Sequence, residues 1–309
     1  MVRRVSNPPN PWASTWVEYL GEPPAAELEV FEEEARSILA ENDSPDVGFR
    51  FSVNPYRGCF HACGYCYARP THQYLGFGAG TDFDRKIVVK RNAPERLRRE
   101  LARPGWRGDP IVFSGVTDCY QPLEAVYGLT RRCLEVCRRF GNPVGVVTKG
   151  ALIRRDLGLL AAMARETEVT VYLSVPFLDD RIARLLEPNA SVPSQRFARK
   201  AFLTLLRLPA QTLPVFEERL AEALPARAAK IWSTLEAARR GRRHDGRSCA
   251  RMRGEGPRWE VIETLFDVTC RRLDMNRGEE KAQRRGTAPR RRAQRGLFEE
   301  SLGSSDPAK

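Results

Sequence analysis

Three cysteines fall within eight residues, in the run Asn54-Pro-Tyr-Arg-Gly-Cys59-Phe-His-Ala-Cys63-Gly-Tyr-Cys66-Tyr67. A C-x3-C-x2-C spacing lets a single loop bring three thiolates to one metal centre. No fourth cysteine stands nearby, whereas structural zinc and ordinary iron–sulfur clusters take four protein ligands. A trio leaves one iron of a cubane cluster open to a substrate or cosubstrate. The alternative is zinc held by the same thiolates with His61 as a further donor, in a nucleic-acid-binding module. Gly58 and Gly64 allow the backbone to fold tightly at the centre.

The elements around the loop follow from hydrophobic periodicity. Apolar, β-rich runs occur at Ile87–Val89, Ile111–Phe113, Val144–Thr148 and Val169–Val175, and helical patterns lie between them at 94–102, 123–140 and 154–164. This alternation predicts βαβ units and a parallel sheet, with reactive groups gathered at the strand ends. Residues 1–50 read as an irregular arm broken by Pro8-Pro9 and Pro23-Pro24, with helical composition from Ala25 to Glu41. After Leu208-Pro209 the pattern becomes helical over 214–240, with Phe216, Leu220, Ile231 and Leu235 as the apolar positions. A Gly/Arg-rich loop (241–256) and a helix at 259–273 follow.

The chain has 309 residues, 42% hydrophobic and 29% charged, which is the composition of a globular protein with a sizeable core. No apolar run approaches the ~20 residues of a membrane span. The N-terminus lacks the apolar stretch of a secretory leader, so the expected compartment is the cytoplasm, where eight cysteines serve as thiols or metal ligands. The net charge of +12 is uneven. Residues 239–258 hold eight arginines against two acids, and 271–295 hold nine arginines and a lysine against three acids. Such blocks mark a solvated tail or an anionic partner, nucleic acid being one.

The cysteine motif resembles the signature of the radical S-adenosylmethionine (SAM) superfamily. The longer runs NPYRGCFHACGYCYARPTHQYLG, TDCYQPLE (117–124), VVTKGALIRRDL (146–157), LLRLP (205–209) and SCARMRGEGP (248–257) resemble a subfamily related to spore photoproduct lyase. The resemblance implies an α/β fold, a parallel (βα)6-type TIM barrel. It implies a [4Fe-4S] cluster on Cys59, Cys63 and Cys66 whose open iron chelates S-adenosyl-L-methionine. Reductive cleavage of that cosubstrate would give a 5′-deoxyadenosyl radical that abstracts hydrogen from a substrate, and an electron donor of flavodoxin or ferredoxin type would supply the electron. Tyr65 would lie near the adenine. Gly115 belongs to the strand-end motif that meets the methionine amino group, where Thr117 stands in for the usual acid. Asp118, Gln121 and Glu124 are polar candidates at the barrel mouth. Lys149 and Ser174 end the next two strands and are candidates for the cosubstrate carboxylate or ribose. The bland reading of Asp118 and Glu124 is that they cap the following helix.

Relatives of this subfamily carry a helix, a strand and a second helix after the Glu-Pro motif, here Glu187-Pro188. In this chain only residues 189–204 separate that motif from Leu205. Sixteen residues cannot hold these elements, so the barrel is expected to lack at least one βα unit and to leave a sheet edge open. A catalytically inert remnant that still binds a cluster is therefore a third reading. The expected domains are the arm (1–50), a shortened radical SAM core (51–209), a helical extension (210–276) and a basic disordered tail (277–309).

The remaining cysteines and histidines read as structural. Cys133 and Cys137 share a helix face and suit a core. Cys119 reads as a small buried hydrophobe, with a hydrogen-atom donor as its functional alternative. Cys249 and Cys270 carry no ligand pattern, and His61 reads as exposed or bonded to backbone. His72 and His244 have no constellation, so a hydrolytic triad has no support. In the tail, Gln294-Arg-Gly-Leu-Phe298 resembles peptides that dock on bacterial sliding clamps.

Overall fold

The computed structural model describes residues 27–195, 201–247, 251–273 and 275. The strands are β1 (Glu29–Glu33), β2 (Leu39–Glu41), β3 (Phe51–Val53), β4 (Tyr56–Arg57), β5 (Lys86–Lys90), β6 (Ile111–Phe113), β7 (Val144–Thr148) and β8 (Val169–Leu173). The helices are α1 (Thr81–Arg85), α2 (Ala93–Leu101), α3 (Glu124–Tyr127), α4 (Leu129–Arg139), α5 (Leu157–Met163), α6 (Asp180–Leu186), α7 (Leu213–Ala223), α8 (Pro225–Ala237) and α9 (Pro257–Arg272).

Five strands form the main sheet in the order β2-β3-β6-β7-β8. β3, β6, β7 and β8 run parallel, so their C-terminal ends lie on one side, while β2 pairs antiparallel with β3. Short β-branched runs account for this: Ile111, Val144 and Val169 align in register, and helical crossovers cover the sheet. Leu97 and Leu101 of α2, Leu134 of α4 and Leu160 and Met163 of α5 pack with Ile111, Phe113, Val144 and Val146 into the principal core. Cys133 and Cys137 are fully buried there, as their helical spacing predicts.

The structure corrects several local expectations. Ile87–Val89 is a strand, but it lies outside the main sheet, in a three-stranded sheet of order β1-β5-β4. The segment expected to be helical near Ala25–Glu41 contains β1 and β2. Cross-strand pairing of Val30 with Ile87 and Phe31 with Val88 overrides the helix preference of the surrounding glutamates. The single helix expected over 123–140 breaks at Gly128, which adopts a left-handed φ of 59° between α3 and α4. The helix expected from 214 to 240 is interrupted before Pro225, where α7 gives way to α8.

β8 pairs on one side only and is the sheet's last strand among the described residues. The segment 205–209 has no regular secondary structure and joins neither sheet. The 26 N-terminal residues, Cys249, and the tail with its Gln294–Phe298 motif lie outside the described residues.

Candidate functional site

The cysteine loop leaves the short strand β4 and runs into a 3-10 turn at Arg69–Leu75. Gly58 opens it with a φ of +76°, and a Cβ there would meet His72, Ile87 and the Lys86 carbonyl at 3.0 Å, so only glycine fits. Successive turns then present the thiols. The Ala62 N–H donates to the Cys59 carbonyl (3.1 Å), and the Cys66 N–H donates to the Cys63 carbonyl (3.3 Å). Cys59 and Cys63 are buried and Cys66 is half-buried. Burial pushes the Cys63 thiol well up, and Glu187 and the other two cysteines add to the rise. Burial and Cys59 push Cys66 up to about 11. Three thiols gathered in one loop, two of them buried, call for a strong positive charge to become thiolates, and iron would supply it.

Loop backbone groups are tied from several sides. Arg69 is fully buried and donates to the Cys63 carbonyl (2.8 Å), the Ala79 and Gly80 carbonyls (3.0 and 2.8 Å) and Asp84 (2.7 Å). Arg219 of α7 reaches the other Asp84 oxygen at 3.4 Å. A Cβ on Gly64 would lie 3.1 Å from the Arg219 Cβ, so this glycine permits the close approach of α7. Cys63 and Tyr65 also pack with Leu208, Phe216, Leu220 and Trp232. The helical extension thus forms one wall of the loop's surroundings.

The strand ends meet the loop from the opposite side. Beyond β6, the Asn54 amide oxygen accepts the Val116 and Thr117 N–H groups (2.9 and 3.3 Å). The Gly115 carbonyl accepts the Tyr67 hydroxyl (2.8 Å), and Ser52 would crowd any side chain at Gly115, 3.2 Å from its Cβ. Thr117 turns inward and donates to the Tyr56 carbonyl (2.9 Å). Asp118 accepts from the Thr148 hydroxyl (2.6 Å), the Lys149 N–H (2.7 Å) and the Tyr120 N–H (2.9 Å). It joins the end of β7 to the loop after β6 and does not cap a helix. Burial alone would raise its pKa, but His61 and these donors hold it at about 2.

Lys149 Nζ donates to the Ser174 hydroxyl (2.6 Å), lies 3.5 Å from Glu187 and sits 5.6 Å from the centre of the Tyr65 ring. Glu187 in turn accepts the Tyr65 hydroxyl. Tyr65, Lys149 and Ser174 are therefore brought into one polar cluster, and Glu187 completes it. Asn189 secures the same stretch by donating to the Phe60 carbonyl (2.8 Å).

The other candidates have structural duties. Gln121 is buried and holds the loop backbone, accepting the Phe60 N–H (2.8 Å) and donating to the Gly58 carbonyl (3.2 Å). Glu124 accepts the Thr130 and Arg131 N–H groups of the first turn of α4, the Tyr56 hydroxyl (2.5 Å) and Arg155 (2.8 Å), so here the capping reading holds. Cys119 is a buried member of the principal core. His61 departs from its expected exposed place. It is buried with Nδ1 3.4 Å from Asp118, because the loop folds onto the end of β6. Burial opposes its charge, but Asp118 and Cys59 outweigh burial and raise its pKa to about 10. Sequence reasoning missed Asn54, Arg69 and the Glu187 role. Glu187 alone carried a signal, its place in the Glu-Pro motif.

The sequence profile of the radical SAM superfamily matches residues 53–201. A similar uncharacterized protein of Mycobacterium tuberculosis is 44% identical over 159 residues, 52% of this chain and 46% of that protein. An uncharacterized protein of Methanocaldococcus jannaschii is 26% identical over 163 residues, 53% of this chain and 58% of that protein. One of Acidianus two-tailed virus is 27% identical over 173 residues, 54% of this chain and 56% of that protein. The chain spans about half the length of the curated relatives it matches. Among solved structures, spore photoproduct lyase complexed with dinucleoside spore photoproduct aligns with a TM-score of 0.39 and 16% identity, over 58% of this chain and 51% of that chain. The matched stretch contains the cysteine loop, the parallel strands β6, β7 and β8 and the Lys149–Ser174–Glu187 cluster. Among the described residues, no helix is long and apolar enough to cross a membrane.

Proposed function

We propose that this protein is a radical SAM enzyme whose Cys59, Cys63 and Cys66 hold a [4Fe-4S] cluster. The observation that carries the reading is that one loop sets the buried Cys59 and Cys63 around a half-buried Cys66 that packs against both clusters, beside the polar cluster of Tyr65, Lys149, Ser174 and Glu187 at the strand ends. When bound, the cluster supplies one electron to S-adenosyl-L-methionine, whose cleavage yields methionine and a hydrogen-abstracting 5′-deoxyadenosyl radical. Arg69, Gln121 and Asn189 fix the loop backbone. The Lys149 cation and the Ser174 hydroxyl offer donors to the cosubstrate carboxylate, and the Gly115 strand end is the candidate for its amino group. Apolar packing by Phe216, Leu220 and Trp232 excludes water from one side of the loop. The reading places the protein in the cytoplasm with a flavodoxin- or ferredoxin-like electron donor. The basic tail and its Gln294–Phe298 motif are candidate contacts for nucleic acid and a sliding clamp.

The zinc reading gains no donor set. Among the described residues no three His, Cys, Asp or Glu side chains are grouped to hold one metal ion. A lone zinc needs all its sulfur donors at about 2.3 Å, whereas a cubane takes one thiolate per iron. The short 189–204 segment, and a β8 that among the described residues pairs on one side, favour the inert remnant as the second reading.

Anaerobic reconstitution tests these readings together. The enzyme is expected to bind iron and sulfide, to shift its reduced paramagnetic signal on addition of S-adenosyl-L-methionine, and to form 5′-deoxyadenosine. Cys63→Ala is expected to lose the iron. A loaded cluster with no 5′-deoxyadenosine identifies the remnant, and stoichiometric zinc without iron refutes the proposal.

A further inference from the structure

The helix α9 carries two apolar faces. Its inward face is satisfied: Trp259 and Ile262 pack with Leu203, Leu205, Leu235 and Ala238, and Cys270 is buried. On the outward side Val261, Leu265 and Val268 are 57%, 61% and 49% exposed. Their i, i+4, i+7 spacing sets them in one stripe along the helix. Among the described residues, the exposed large apolar side chains of other helices stand singly, Val126 on α3, Leu157 on α5 and Leu185 on α6. Scattered residues of that kind are ordinary on a protein surface, whereas an ordered stripe marks a place where something docks.

The residues beside the stripe indicate what docks. Glu260, Thr264, Asp267 and Arg271 follow the same helical spacing along one flank, and all four are exposed. Among the described residues neither Glu260 nor Arg271 has an ion-pair partner, and the Arg271 guanidinium meets only the Asp267 carbonyl of its own helix (3.3 Å). The flank therefore begins with an acid and ends with a base. A second α9 laid antiparallel across the first, with Leu265 at the two-fold axis, brings Glu260 of each copy level with Arg271 of the other and Thr264 level with Asp267. A parallel pair would set Glu260 against Glu260 and Arg271 against Arg271. The antiparallel pair also brings Arg258 level with Arg272, a repulsion that works against tight binding. Three apolar side chains fall well short of the about 800 Å² per partner of a standard interface.

We propose that α9 is a self-association surface, on which a second copy of this chain packs its own α9 antiparallel to form a reversible two-fold dimer. Each stripe then covers the other, and the assembly closes at two copies. The inference goes beyond the radical SAM reading and does not rest on it.

Sedimentation equilibrium of the full-length protein, kept anaerobic and run from about 1 to 100 µM, tests it. The expected result is a monomer–dimer equilibrium with a Kd on the order of 10 µM, at the weak end for protein interfaces. Leu265→Glu changes an exposed side chain and sets two carboxylates against each other at the axis, so the dimer should weaken by at least about thirtyfold. Glu260→Arg and Arg271→Glu should each weaken it about threefold to tenfold, because the contact occurs twice. Combining the two should restore the parent Kd to within about twofold. A parent chain that stays monomeric across the range overturns the proposal, whatever else covers the stripe. So does a Leu265→Glu chain that dimerises like the parent, which places the interface elsewhere. A mass that grows past the dimer overturns the two-fold arrangement, and a double variant as weak as the singles overturns the antiparallel register. Should the charge exchange unwind α9, seen as lost far-ultraviolet ellipticity, Leu265→Glu decides alone.

Discussion

Nδ1 of His61, inside the cysteine loop, lies 3.4 Å from Oδ2 of Asp118, beyond the end of β6. Both side chains are nearly inaccessible to water. Asp118 also accepts the Lys149 N–H, and the Lys149 side chain continues to Ser174 and Glu187. One run of polar and charged contacts therefore links the cysteine loop to the ends of β7 and β8, and the loop's position depends on residues distant in sequence.

Asp118→Ala should expose this dependence. The substitution leaves a buried imidazolium without its counter-charge and frees the Thr148 hydroxyl and the Lys149 N–H. Removing one partner of a buried pair costs about 3–5 kcal/mol. The expected result is a lower urea midpoint at unchanged m-value. A loss below about 1 kcal/mol would show that the pair does not hold the loop.

Arg69→Met tests the floor of the same loop. Arg69 and Asp84 are both fully buried at 2.7 Å, and the guanidinium also satisfies three carbonyls. Methionine fills much of the volume but leaves Asp84 with Arg219 alone at 3.4 Å. A destabilisation of about 3–5 kcal/mol is expected, together with reduced iron per chain after reconstitution. Stability and iron content equal to the parent would show that the arginine is dispensable for the loop.

His72 sets a pH dependence of known sign. Its ring is buried against Phe77 and Phe83, with centroids 5.1 and 5.5 Å away. Burial lowers its pKa to about 4, against about 6.5 in an unfolded chain. Above pH 6.5 the ring is neutral in both states and costs nothing. As the pH falls from about 6.5 to about 4, the unfolded chain takes up a proton that the folded one refuses, so stability is lost across that window. The full loss is about 3 kcal/mol. His72→Phe should remove this share of the slope, read as the difference between the two proteins' urea midpoints from pH 7 to pH 4. Parallel curves would show that His72 is not protonated on unfolding.

What the sequence revealed and what it hid divide along physical lines. The spacing of Cys59, Cys63 and Cys66 within one loop is local, and so are the β-branched runs of β6, β7 and β8 and the core face bearing Cys133 and Cys137. All of these were legible. The glutamate-rich stretch of β1 has helix-favouring composition, and only its pairing with β5 makes it a strand. His61 was misplaced for the same reason, since its partner Asp118 comes close only after the loop folds onto the sheet. Arg69 carried no signal at all, because its partners are mostly backbone carbonyls, which no residue type announces.

Glu187 offers the sharpest test of the polar cluster. Its carboxylate accepts the Tyr65 hydroxyl, stands 3.5 Å from Lys149 and pushes the Cys63 thiol up. Glu187→Gln retains the shape and an acceptor but removes the negative charge. A hydrogen bond to a charged group contributes about 1.5–3 kcal/mol, and a loss at the lower end is expected because the amide oxygen still accepts. With that charge gone, Lys149 acts on the loop unopposed, so the reconstituted cluster should be easier to reduce, as net charge sets the potential. Lys149→Met should move the potential the other way, since Glu187 then acts alone. Midpoints from a redox titration followed by paramagnetic resonance decide the matter. Shifts of the same sign in both variants, or no shift in either, would place Glu187 and Lys149 outside the electrostatic surroundings of the three cysteines.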